Sequence, residues 1–165
     1  MSNIDIQAYL DTHRLLVQAV DGLSEEELKW KESPVKWSVT EVLAHLIDHN
    51  IVVSFRIRDI LADTKAQLPA FEQDKWVAGQ RANESSADNI LDAFQALLSY
   101  NGILFGRLTD AELDKSGINI KGETVRVRDI IAGFTKHVNT HLAQIERIKQ
   151  AFGNQLASAA AEPQQ

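Results

Sequence analysis

The chain contains no cysteine. That excludes disulfides, thiolate metal ligands and a nucleophilic thiol of the protein's own, and it agrees with a reducing compartment. Positive charge is also short: 17 Lys and Arg face 23 Asp and Glu, a formal net charge of −6. Non-specific nucleic-acid binding rests on Lys and Arg neutralising phosphates, and no long basic run or basic helix face offsets the deficit. No apolar run approaches the ~20 residues of a membrane span. Met1-Ser2-Asn3-Ile4-Asp5 lacks the basic and apolar regions of a signal peptide. Internal repeats and sustained strand alternation are missing as well. These absences lead to the expectation of a cytoplasmic protein with neither nucleic acid nor membrane as partner.

What is present is helical. A composition of 44% hydrophobic and 24% charged residues over 165 positions suits one domain with a full core. The first stripe, from about Ile4 to Asp21, carries Ile6, Leu10, His13, Val17 and Val20, and Gly22 ends it. His13 reads as a helix-face or interhelical hydrogen-bonding group. Ser24 caps a short turn. The second long helix starts at Ser38, because Ser38-Val39-Thr40-Glu41 is a capping box, and reaches about Asp63 with Val42, Leu46, His49, Val53, Ile57 and Ile60 on its main stripe. A link follows with Pro69, a helical turn around Asp74–Arg81, and Trp76 packing it onto the helices. The third helix runs from Ser86 or Ala87 to Arg107, with Phe94, Leu98, Asn101 and Phe105 on one side. After a capped turn at Thr109–Leu113, residues 118–126 form an extended segment or short hairpin about Gly122.

The fourth helix spans about Val127 to Phe152, stopped by Gly153. Residues 154–165, rich in Ala, Ser and Gln, read as a flexible tail, which divides the chain into a bundle domain, 1–153, and that tail. Four apolar stripes predict an all-α four-helix bundle. Links of roughly 16, 22 and 19 residues can cross from end to end of a bundle, so a simple up-down-up-down path is not required.

The chemistry gathers on the fourth helix. His137 and His141 fall in the apolar stripe formed by Val127, Ile130, Phe134, Ile145, Ile148 and Phe152, where a core would take leucine. Positions i and i+4 share a helix face, so both imidazoles can reach one ion at about 2.0–2.1 Å. An unpaired buried polar group costs on the order of 1–3 kcal/mol, which a metal would relieve at two nitrogens together. Hydrogen bonds to backbone or carboxylates are the other way to satisfy the pair. A third ligand is available on the second helix at His45 or His49. Periodicity places His49 on the stripe and His45 beside it.

The segment Trp37-Ser38-Val39-Thr40-Glu41-Val42-Leu43-Ala44-His45-Leu46-Ile47-Asp48, followed by His137-x-x-x-His141-x-x-Gln144-Ile145, resembles the DinB-like superfamily, which includes the YfiT-type metal-dependent hydrolases. The resemblance extends over most of the chain, from Ile6 to Phe152. It implies an up-down-down-up four-helix bundle. It also implies a site for a divalent metal (zinc, nickel or iron) built from His45, His137 and His141, and leaves His49 as a pocket residue. Some relatives join low-molecular-weight thiols to electrophiles.

Three neutral imidazoles leave a coordination position open, the pattern of catalytic rather than structural sites. Such a site fits hydrolysis, with the pKa of bound water lowered toward ~7. It equally fits transfer of a small thiol cosubstrate, the chain having no cysteine to serve instead. Asp48 and Glu41 lie on the His45 side of their helix and are candidates to hold an imidazole N–H, with capping or solvation as their other role. Asn139, Thr140 and Gln144 either line the mouth of the site or sit on an exposed helix face. A non-catalytic metal-binding stress-response module, or a homodimeric scaffold, is the reading from a different class.

Overall fold

The four stripes become four long helices, joined by short elements. In chain order, the computed structural model places α1 at Ile6–Val20, α2 at Glu25–Lys29, α3 at Val39–Leu61 and α4 at Gln73–Gly79. A 3-10 turn at Ala82–Glu84 precedes α5 at Ala87–Gly106 and α6 at Asp110–Leu113. The antiparallel strands β1 (Ser116–Ile118) and β2 (Thr124–Arg126) then lead into α7 at Val127–Ala161. The structure describes residues 4–64 and 67–161. The first three residues of the segment read for a signal peptide, and residues 162–165 of the expected tail, lie outside the described residues.

Local chemistry sets the helix starts. Asp5 caps α1 by accepting from the Ala8 amide at 2.8 Å. At α3 the capping box is complete: the Ser38 hydroxyl accepts from the Glu41 amide at 3.1 Å, and the Glu41 carboxylate accepts from the Ser38 amide at 3.1 Å. Gly22 ends α1 with φ of +75°, a conformation that a side chain disfavours. The expected stop at Gly153 does not occur. One interior glycine costs only about 1 kcal/mol relative to alanine, and the Ala-rich residues beyond it favour helix, so α7 continues to Ala161 with residues 153–161 all exposed. No helix among the described residues is long and apolar enough to cross a membrane.

Contacts between helices fix their directions. Tyr9, early in α1, meets Phe134, early in α7, at 5.3 Å between rings, and Lys149, late in α7, donates to the Ala19 carbonyl at 3.0 Å. These two helices are parallel. Tyr9 also meets Phe105 at the far end of α5, 5.0 Å away, so α1 and α5 are antiparallel. Ser54, late in α3, donates to Asn101, late in α5, at 3.0 Å, making that pair parallel. His49 lies against Phe134 while His45, one turn earlier in α3, reaches His137 further along α7, making that pair antiparallel. The result is up-down-down-up. α1 packs on α5 and α7, as does α3, so α1 and α3 sit on opposite corners. The links from α1 to α3 and from α5 to α7 join opposite corners, while the link from α3 to α5 joins neighbours.

The core holds Leu16, Leu43, Leu46, Ile57, Phe94, Leu98, Phe105, Ile131, Phe134 and Ile145. A polar network runs through it. Tyr9 Oη donates to Asn50 Oδ1 at 3.0 Å, Asn101 Nδ2 donates to Tyr9 Oη at 3.0 Å, and Arg58 donates to Asn101 Oδ1 at 2.8 Å. Burial pushes the Tyr9 phenol upward from its ordinary pKa, against the bonds from Asn101 and Asn50. Two expectations for other residues change. Trp76 is 41% exposed and meets Phe71 edge-on, while Leu68 and Val77 bury the link. His13 lines a groove between α1 and α5 and makes no side-chain hydrogen bond among the described residues.

Asn101→Ala removes one hydrogen-bond partner each from Tyr9, Ser54 and Arg58, and is expected to cost about 3 kcal/mol of stability in urea unfolding. Tyr9→Phe, which removes a hydroxyl and keeps the ring, is expected to cost about half as much.

Candidate metal centre

His45 stands two turns into α3, after the capping box, and is completely buried. Its ring is sandwiched. Phe71, from the link before α4, lies parallel to it at 5.7 Å with a 5° interplanar angle, and Trp37 lies tilted at 4.9 Å. His137 and His141 come from successive turns of α7 and are half-buried. Antiparallel packing of α3 on α7 brings the three together. The His45 and His137 Nε2 atoms are 2.9 Å apart, those of His137 and His141 3.1 Å apart, and the ligand atoms of all three lie within 4.8 Å of one another.

Protons alone do not satisfy this cluster. A neutral imidazole has one N–H and one lone pair. His141 Nδ1 lies 2.6 Å from Gln144 Oε1, an acceptor, so the His141 proton sits there and its Nε2 lone pair faces the cluster. If His137 Nε2 carries a proton, it can be given fully to only one of its two neighbours. A single cation accepts all three lone pairs. Around a tetrahedral ion bound at 2.0–2.1 Å, ligand nitrogens sit roughly 3.3 Å apart, within a few tenths of an ångström of the two close contacts. The residues therefore fit a divalent metal.

Electrostatics point the same way. Burial holds His45 and His49 down to about 3, with neighbouring imidazoles adding to the effect. Burial and His141 bring His137 to about 4. His141 is also lowered, by burial against the opposing bond to Gln144, with the Arg147 charge assisting. All four rings are neutral near pH 7, the form that binds metal.

The remaining sequence candidates separate clearly. Gln144 orients His141. His49 stands outside the convergent set: its ring stacks on Phe134 at 5.6 Å and abuts His137 at 4.2 Å, and its buried Nδ1 has no hydrogen-bond partner among the described residues. Of the two roles open to Asp48 and Glu41, neither carboxylate bonds an imidazole N–H, and Glu41 takes the capping role. Asp48 is buried and bonded by the Gln80 amide, its pKa raised by that burial. Glu41 closes the capping box and pairs with Lys31 at 3.0 Å. His45 Nδ1 consequently stays buried without a partner among the described residues. Asn139 is exposed, and exposed Thr140 donates to the Lys136 carbonyl at 3.2 Å.

Two aromatic neighbours were not singled out from sequence. Trp37 carried a signal, since it stands directly before the cap of α3. Phe71 had only its position in a proline-containing link. Beside His141 a cavity of about 480 Å³ opens, bounded by Trp37, Gln144, Arg147 and Ile148 on one side and Gln73 and Asp74 on the other.

An up-down-down-up bundle whose antiparallel α3 and α7 hold three converging imidazoles defines a helical protein suited to binding a divalent metal. The chain belongs to the DinB superfamily, whose family model matches residues 8–145. It is 29% identical over 135 residues to an Oceanobacillus iheyensis protein named for an inferred metal-dependent hydrolase activity, covering 79% of this chain and 75% of that one. A similarly named Bacillus licheniformis protein is 25% identical over 140 residues, 84% of this chain and 80% of the relative. Among solved structures, YfiT from Bacillus subtilis, described as a probable metal-dependent hydrolase with an unusual four-helix bundle topology, superposes with a TM-score of 0.82. It shares 19% identity and covers 90% of this chain and 85% of its own. A mycothiol-dependent maleylpyruvate isomerase gives a TM-score of 0.66 at 10% identity, over 88% of this chain and 63% of that one. At these identities the two structures speak for the fold.

Burying neutral histidines makes the metal-free protein acid-sensitive. Their folded pKa values lie below the unfolded value near 6.5, so the unfolded state binds more protons as pH falls. The stability is intact above about pH 6.5 and is lost progressively toward pH 3–4. Thermal melts of metal-stripped protein should show a lower Tm at about pH 5 than at about pH 7.5, and the decline should be shallower in His49→Phe.

Proposed function

We propose that this protein is a metal-dependent enzyme acting on small molecules, with His45, His137 and His141 as its metal ligands and the cavity beside His141 as its substrate site. The observation that carries this reading is the convergence of three neutral Nε2 atoms with no carboxylate closing the set. A bound divalent ion, whether zinc, nickel or iron, would supply a Lewis acid with an open position, able to activate water or a thiol. The chain's own residues supply the setting. Gln144 holds His141 in the required tautomer, while Trp37 and Phe71 clamp the His45 ring and exclude water from its faces. The unit that performs this is the bundle of residues 1–153, since the described residues beyond it are all exposed and add nothing to the core.

Between the two reactions we favour transfer of a low-molecular-weight thiol to an electrophile. The chain has no cysteine, so a sulfur nucleophile has to come from a small molecule, and one fold relative is mycothiol-dependent by name. Hydrolysis is the second reading, supported by the names of the curated relatives.

His137→Ala and His141→Ala should each reduce metal content of untagged purified protein about tenfold or more while far-UV circular dichroism stays helical. Equal content in wild type and His141→Ala rules out the ligand assignment. Incubation with a haloaromatic or epoxide electrophile, with and without glutathione or bacillithiol, tests the chemistry. Thiol-dependent product that disappears in His137→Ala is the expected result. Product formed without thiol, yet dependent on His137, moves the assignment to hydrolysis. Identical behaviour of the two proteins with every substrate replaces catalysis by a binding module or dimeric scaffold.

A further inference from the structure

The cavity beside His141 carries two charges that the bundle does not use. Arg147 lies fewer than two turns beyond His141 on α7, and Asp74 lies in the first turn of α4; both are exposed and both line the cavity. Among the described residues neither has an ion-pair partner. The other charges nearby are already matched, Lys36 with Glu32 at 3.0 Å and Lys75 with Glu72 at 2.6 Å. Arg147 and Asp74 do not reach each other either, although opposite charges on one wall of protein attract. Both charges face the same cavity, to which Trp37 and Ile148 add apolar surface.

A cavity lined by apolar surface, one unpaired cation and one unpaired anion complements a ligand that carries both charges. We propose that this cavity binds a small zwitterion of the short-peptide class, its carboxylate on Arg147 and its ammonium on Asp74. The proposal rests on reading the cavity as the substrate site, and it adds the class of molecule that site selects. Because Arg147 and Asp74 do not pair directly, a ligand that meets both bridges them with its own two charges. A dipeptide separates those charges by several bonds and places side-chain bulk over Trp37. A volume of about 480 Å³ falls in the range of small-ligand pockets and admits such a molecule. Arg147 suits the carboxylate end because its guanidinium can donate two parallel hydrogen bonds, stronger and more directional than a point charge. Asp74 faces a compact ammonium at an exposed rim, where an ion pair is weaker. Selectivity therefore depends more on the carboxylate than on the ammonium.

Calorimetric titration of the full-length protein with S-methylcysteinylglycine tests this, the blocked sulfur keeping metal chemistry out of the measurement. Its N-acetyl form lacks the ammonium and its C-terminal amide lacks the carboxylate. Wild type should bind the free dipeptide about tenfold more tightly than the amide and about threefold more tightly than the N-acetyl form. Arg147→Gln should abolish the preference over the amide, and Asp74→Asn the preference over the N-acetyl form, in metal-loaded and chelator-stripped protein alike. Wild type that does not prefer the free dipeptide over either capped form at millimolar concentration, or variants that retain both preferences, overturn the proposal. A second titration with unblocked cysteinylglycine separates this from the functional reading. If metal adds nothing to its affinity while the S-methyl probe still depends on Arg147, thiol activation fails and the zwitterion site stands. If metal strengthens thiol binding but neither charge substitution matters, the reverse holds.

Discussion

Three imidazole lone pairs cannot be reconciled with each other by protons while the rings stay neutral, and burial keeps the rings neutral. That conflict is the constraint around which the bundle is arranged. His45 lies wholly in the interior, and its Nδ1 has no partner among the described residues. Any proton placed between His45, His137 and His141 leaves one nitrogen facing another across about 3 Å without a hydrogen. The fold tolerates this because its other polar groups are largely matched, from the Glu41 capping box to the Tyr9–Asn101 network. A divalent ion would resolve the conflict by accepting all three lone pairs.

The topology follows from the same requirement. His137 and His141 are one turn apart on one helix, so the third nitrogen has to arrive from a neighbour. Up-down-down-up packing makes α3 that neighbour and runs it antiparallel to α7. The first half of α3, held at its start by Ser38 and Glu41, then faces the third and fourth turns of α7. α1 takes the opposite corner from α3 and contributes no ligand. It shares in the polar network at the other end of the bundle, where Tyr9, Asn50 and Asn101 join α1, α3 and α5. The bundle thus has one polar cluster bonded largely within itself, with only Asn50 Nδ2 left unpartnered among the described residues, and one whose nitrogens converge on a single point.

Much of this was legible in the residues. The four stripes, the Ser38 capping box and the His137–His141 pair follow from periodicity and spacing. The choice between His45 and His49 did not, for a physical reason. α3 contacts α2, α4, the 3-10 turn, α5 and α7, so it is buried on nearly every side, and a stripe loses its meaning when most of the circumference is interior. Both histidines are inside; only the partner helix decides which nitrogen meets His137. Resemblance to a family selected the residue that the geometry brings into the cluster. The roles of Asp48 and Glu41 stayed open in the sequence because helical phase gives the direction of a side chain and says nothing of competitors for it. Gln80 and Lys31, from outside α3, reached those carboxylates first. Gly153 misled for the opposite reason: a breaker was read where only a weak penalty stood against a favourable run.

Phe71 shows where sequence reading stops and what a link can contribute. It lies outside every helix, yet it covers the His45 ring and approaches His49, while Trp37 covers the other side of the site and stacks near His141. The link from α1 to α3 joins opposite corners, the link from α3 to α5 runs back between two neighbouring parallel helices, and together they roof the site with Trp37 and Phe71. The length of those links, required by topology, is what makes the roof possible. The histidines sit on rigid helices, where a ligand set has to be held to fractions of an ångström. The cavity wall is shared between a helix and two connectors, where residues can change without disturbing the bundle. The candidate ligands thus sit on the packed helices of the bundle, and the cavity beside them is walled in part by the links.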